Sequence, residues 1–126
     1  VVDRYLDSSI FYRYLRFASE SVSVTVITQE PRSNSADFNG FLDASRLFAA
    51  ERGSSTYRLL YEQSFHDRWI KCGDDLYHLG GSIRHAGAQS PFTLSKIAPT
   101  DSNFDVFNSV TAAAQEVFGP ANPNHP

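Results

Sequence analysis

The sequence predicts a single α/β domain in which a mixed sheet is flanked by helices. Three observations carry this. Ser21 to Thr28 alternates polar and β-branched apolar residues, the clearest strand pattern in the chain. Apolar residues recur at helical spacing in three separate stretches. Between residues 56 and 98 several short strand-like runs follow one another, separated by glycine-containing turns. With 126 residues the chain is long enough to bury a core without metal or disulfide staples.

Val1-Val2-Asp3 reads as a short strand. Asp7 or Ser8 then caps a helix over residues 8–19, with Ile10, Phe11, Tyr14, Leu15 and Ala18 on its apolar side. The strand over 21–28 follows, then a loop from Gln29 to Ser35. Phe38, Phe41, Leu42, Ser45, Leu47 and Phe48 predict a second helix over 36–51, weakened by Gly40 and ended by Gly53. Strands are expected at 56–61, 65–72 and 76–79, the last two joined by a Gly73-Asp74-Asp75 turn. Gly80 to Gly87 reads as a glycine-rich loop and 92–98 as another strand. Asp101 or Ser102 caps a last helix reaching Phe118, with Phe104, Phe107, Val110, Ala114 and Val117 on its apolar side. The domain is thus expected over 1–119, with a flexible tail at 120–126.

Composition narrows the function classes. A hydrophobic share of 41% and a charged share of 20% are those of an ordinary soluble globular domain. A net charge of −3 argues against a broad basic surface for nucleic acid or anionic membrane, while leaving room for a local basic pocket. No apolar run approaches a membrane span, and Asp3, Arg4 and Asp7 interrupt any leader-like start. Cys72 is the one cysteine, so no intrachain disulfide can form. A reducing, cytoplasmic location is the expectation. The four histidines and one cysteine show no zinc spacing. The chain has no methionine and begins abruptly, which suggests a piece of a longer protein.

The chemistry-bearing stretch is Phe65-His66-Asp67-Arg68-Trp69, followed by Leu79-Gly80-Gly81-Ser82. On an extended strand, His66 and Arg68 share a face with Ile70 and Cys72, opposite Phe65, Asp67, Trp69 and Lys71. The pair could meet a phosphate together, with the planar fork of Arg68 suited to its oxygens. A half-buried histidine beside a surface charge pair is the alternative. Gly80 and Gly81 could let successive backbone N–H groups form an anion nest, with Ser82 adding a hydroxyl. A tight loop needing positive φ is the commoner use of paired glycines. Lys96 could supply a second cation, or be a solvated edge lysine. His78 and His85 read as structural or surface residues.

Taken together these segments resemble the phospholipase D superfamily, whose signature is H-x-K-x-x-x-x-D followed by a G-G or G-S turn, commonly G-S-x-N. His66 stands at the histidine, Arg68 at the lysine, and Gly81-Ser82 at the usual distance beyond. The runs Phe65 to Ile70, Leu76 to Ile83 and Phe92 to Ile97, with the opening Val1 to Asp7, are similar to a bacterial subgroup with an H-D-R core. The resemblance covers most of the chain. Gly73 occupies the aspartate position, with Asp74 one residue late, and Arg84 occupies the asparagine position.

The resemblance implies a phospholipase D-like half-unit and a phosphodiesterase mechanism through a phosphohistidine, with no metal or other cofactor. His66 would be the nucleophile, Arg68 the main cation, and Ser82 with the glycine turn the oxyanion support. Gly80, Gly81, Arg84 and Lys96 would bind substrate. The family needs two such motifs, and His78, His85 and His125 have no lysine or arginine two residues on. A homodimer partner or a missing neighbouring domain would supply the second. A nuclease-type phosphodiester is the favoured substrate over phospholipid, since no membrane-binding patch is visible. The rival reading is a non-catalytic domain of the same fold used for dimerisation or for phosphate or nucleic-acid recognition. An unrelated α/β domain with a structural histidine is the remote third.

Overall fold

The computed structural model describes residues 1–4, 6–30, 36–53, 56–81 and 93–119. Its elements are α1 (Ser9–Arg13), a 3-10 turn (Leu15–Phe17), β1 (Val24–Thr28), α2 (Ala36–Arg52), β2 (Tyr57–Tyr61), β3 (Trp69–Cys72), β4 (Asp75–Leu79), β5 (Leu94–Lys96), α3 (Ser102–Ala113) and β6 (Gln115–Phe118). The α/β class expected from the sequence is what folds.

Val1-Val2-Asp3 organises the sheet. Two three-stranded groups form, β1-β2-β6 and β3-β4-β5, and Val2 bridges them, parallel to Ile27 and antiparallel to Trp69. The amide of Val2 donates to the Trp69 carbonyl at 2.8 Å, and that of Trp69 returns to Val2 at 2.9 Å. On the other side Ile27 donates to Val1 and Asp3 donates to Ile27. The order across the sheet is therefore β6-β2-β1, then residues 1–3, then β3-β4-β5. A strand in the middle of a sheet is covered on both faces, and Val2 and Asp3 are buried accordingly.

Each face carries its own core. Ile10, Phe11 and Leu15 join Phe41, Leu42, Phe48 and Ala49 of α2 over Val24, Val26, Tyr57 and Leu59. Phe11 is the hub, with ring centroids 5.5 Å from Phe41, 5.3 Å from Phe48 and 6.0 Å from Tyr57. The other face packs Phe107 and Val110 of α3 on Val2, Ile27, Leu60, Trp69 and Leu76.

Within the first core the Tyr57 hydroxyl lies 2.5 Å from Ser45 Oγ, both buried. Burial pushes the phenol well above the usual tyrosine range. Tyr57→Phe leaves the serine hydroxyl unpaired in an apolar setting and is expected to cost about 1–3 kcal/mol in urea unfolding. Adding Ser45→Ala removes the orphaned group. The double variant should lose less than the sum of the two single losses, and strict additivity would refute the coupling.

Several expected boundaries change. The helix over 8–19 stops at Arg13, because Tyr14 leaves helical dihedrals at φ −130°, and the chain continues as the 3-10 turn. Asp7 does tie the start, accepting from the Ser9 amide at 3.0 Å. Arg52 satisfies the chain that follows by donating to the carbonyls of Ala18, Ser19 and Val22. Leu47, assigned to the apolar side of the second helix, is exposed, since it lies off the Phe41-Ser45-Phe48 row. Gly53 ends that helix at φ +90°, as expected.

The last helix ends at Ala113 rather than Phe118, and residues 115–118 form β6 antiparallel to β2. Val117 explains the difference. It packs in the core with α1 and α2, whereas Phe107 and Val110 pack on the opposite face of the sheet. One helical stripe cannot serve both faces. Asp101 caps the helix, accepting from the Asn103 amide at 2.8 Å, and that bond lowers its carboxyl below the usual range. Between β3 and β4 the turn is Gly73-Asp74 alone, with Cys72 opposite Asp75 and Gly73 at φ +59°. The 92–98 strand shortens to Leu94–Lys96. The expected tail at 120–126 lies outside the described residues.

Candidate functional site

In open α/β sheets, ligands bind beyond the carboxyl ends of the parallel strands. At that edge residues 1–3, β1 and β2 all end, β3 begins and β4 finishes. His66 and Arg68 are here. They sit on the lead-in to β3 rather than within the strand expected over 65–72, whose ladder starts at Trp69. The lead-in is anchored at its start by Phe65, buried in the α3-side core. At its end the Arg68 carbonyl accepts from the Leu79 amide at 2.9 Å.

The expected alternation holds from Arg68 onwards. Trp69 and Lys71 face Phe107 of α3, while Ile70 packs against the opposite core. Arg68 Nε lies 3.7 Å from Oδ1 of Asp3, a carboxylate with 0% exposure, and keeps 27% of its own side chain exposed. A buried carboxylate needs a cation or donors nearby, and Arg68 is one cation at Asp3.

Arg4, the residue after Asp3, reaches His66. Its Nη1 is 2.6 Å from Nδ1 of the imidazole, and its Nε donates to Gln29 Oε1 at 2.7 Å. The Arg4 carbonyl accepts from the Thr28 hydroxyl. The first strand, the end of β1 and the lead-in to β3 are thereby joined by side chains. Tyr61 closes β2 at the same edge. Its buried hydroxyl has no hydrogen-bond partner among the described residues, and its pKa is pushed up to about 12, first by burial and then by Glu30.

Other expected site residues are placed differently. The Gly80 amide donates to the Thr93 carbonyl at 2.9 Å, so it belongs to the ladder rather than to an anion nest. A Cβ there would meet Thr93 Oγ1, and close approach, not positive φ, is what glycine serves at this position. Gly81 lies in a bend, half-buried. Lys96 pairs in register with Tyr77 and its ammonium reaches Asp75 at 3.5 Å, towards the opposite end of β4. The structure does not bring it to His66. Ser82, Arg84 and His85 lie outside the described residues. His78 bonds Asp67 at 3.2 Å beside Trp69.

Asp3, Arg4 and Gln29 were not singled out by sequence reasoning. The available signal was a charged pair directly after two buried valines, which places charge at the end of a central strand. A cavity of about 540 Å3, lined by Val1, Val24, Ile70, Cys72 and Phe107 among others, opens at the other end of the strands and contains neither His66 nor Arg68. Among the described residues no group of three or more His, Cys, Asp or Glu side chains could hold a metal ion, and no helix is long and apolar enough to cross a membrane.

Comparison with protein-family models, curated proteins and solved structures gives no match.

Proposed function

We propose that the chain is a phospholipase D-like module whose Arg4–His66–Arg68 edge receives the phosphate of a phosphodiester. The observation that carries this is the gathering of two guanidinium groups and an imidazole at the carboxyl edge of the sheet, where Arg4 contacts His66 and Arg68 lies on Asp3. Guanidinium forks match phosphate oxygens in charge and geometry, and the cluster is local in a chain of net charge −3.

Hydrolysis through this site would run in two displacements. His66 attacks phosphorus while a second histidine protonates the departing oxygen, and water then cleaves the phosphohistidine. His78 is a poor candidate for the second histidine, since it is bound to Asp67 beside Trp69. A second copy of the chain, or another part of a longer protein, would supply it. Recognition without turnover is the second reading. The Arg4 contact favours it, because Nδ1 of His66 is engaged by a group that only donates.

The test pairs two measurements on the chain and its His66→Asn variant: calorimetric titration with dimethyl phosphate, and hydrolysis of bis-nitrophenyl phosphate. Binding that weakens about tenfold or more in the variant supports the site, given about 1.5–3 kcal/mol for a charged hydrogen bond. Hydrolysis abolished in the variant assigns a phosphodiesterase. Binding without hydrolysis assigns recognition to this chain by itself and leaves turnover to the part that would supply the second histidine. No binding overturns the proposal.

A further inference from the structure

We infer that Arg4 is a positioning residue that sets the ring tautomer of His66, and that a bound phosphate is what takes Arg4 away. The inference rests on the phosphate-site reading above.

Arginine carries donors and no acceptor. At 2.6 Å from Arg4 Nη1, Nδ1 of His66 must therefore present its lone pair. The ring proton of the neutral imidazole is then on Nε2. The other arm of the guanidinium is fixed by Gln29 Oε1 at 2.7 Å, so Arg4 is oriented before any ligand arrives. In this state His66 offers Nε2–H, a hydrogen-bond donor to an anionic oxygen, and no lone pair with which to attack through Nε2.

A phosphate changes the balance. A guanidinium bonds an anionic oxygen more strongly than a neutral imidazole nitrogen, because the acceptor is ionised. Arg4 then turns to the phosphate, Nδ1 is released, and the proton can reside there, which frees the Nε2 lone pair. The contact thus acts as a latch opened by the ligand itself. Arg68 is held by Asp3 in a separate pair and need not move.

Nitrogen NMR of the labelled chain tests this directly. In the resting protein Nδ1 should resonate as an unprotonated nitrogen and Nε2 as an N–H, with a through-hydrogen-bond coupling from Arg4 Nη1 to Nδ1. Saturating inorganic phosphate should abolish the coupling and move proton population onto Nδ1. Arg4→Met, which keeps a long stem and loses every donor, should lack the coupling and show a mixed ring without phosphate. Arg4→Lys should restore the resting pattern in part. Backbone amide spectra confirm that each variant is folded.

A resting proton on Nδ1, or no coupling in the resting protein, overturns the inference. Phosphate binding with the coupling intact overturns the latch while leaving the phosphate site standing. Absence of any phosphate-induced shift sinks the phosphate site and the latch with it.

Discussion

Arg68→Met is expected to destabilise the fold more than Asp3→Asn, although the two residues form one ion pair. Asp3 has no exposed surface and Arg68 keeps 27% of its side chain exposed. Removing the arginine takes a cation from a carboxylate in the middle of the sheet, and breaking a buried pair in this way costs about 3–5 kcal/mol. Neutralising Asp3 keeps a polar side chain in the same place and leaves no buried carboxylate, at a cost of about 1–3 kcal/mol. The double variant should be more stable than Arg68→Met alone, because the buried charge that lost the arginine is gone. Urea midpoints at unchanged slope measure all three. Equal losses for the two single changes would show that Asp3 draws its compensation from groups other than Arg68. The same experiment bears on function, since Arg68→Met removes a proposed phosphate cation and a structural charge together. A stable Asp3→Asn/Arg68→Met protein would separate the two roles.

Trp69→Ala should cost about 3–5 kcal/mol, as full truncation of a buried large aromatic does. Trp69 is wholly buried where the two halves of the sheet meet. Its ring packs edge-on against Phe107 at 6.0 Å and near His78 at 6.5 Å. The cavity opened would lie between α3 and the bridge at Val2, so α3 should lose hydrogen-exchange protection before α2 does. Trp69→Phe should cost under about 1.5 kcal/mol. It keeps a ring against Phe107 and removes an indole N–H that has no hydrogen-bond partner among the described residues. A loss as large as alanine's would mean that the second ring, rather than the contact with Phe107, holds the halves together.

The class and most of the element order were legible because they depend on local pattern. The strand ending at Thr28, the Phe41-Ser45-Phe48 row in α2, the glycine ending that helix and Asp101, one of the two expected caps, act within a few residues, and the structure bears them out. The errors came where two faces compete. Val117 continues the spacing of α3, yet it is claimed by the opposite core through β6. The lead-in at 65–68 has a strand's composition, but its ladder begins only at Trp69.

The candidate site divides in the same way. His66 and Arg68 are two residues apart, so strand periodicity alone could put them together. The sequence also marked Gly80 as special, without revealing that its role is closeness to Thr93. What only the tertiary structure decided is the company these residues keep. Arg4 lies on His66 from 62 positions away in the chain, and Asp3 lies on Arg68, because the first strand is inserted between β1 and β3. No local rule encodes that insertion. It follows from packing Val1 and Val2 on opposite faces of the sheet, and it brings the charges that follow Val2 to the edge where His66 stands.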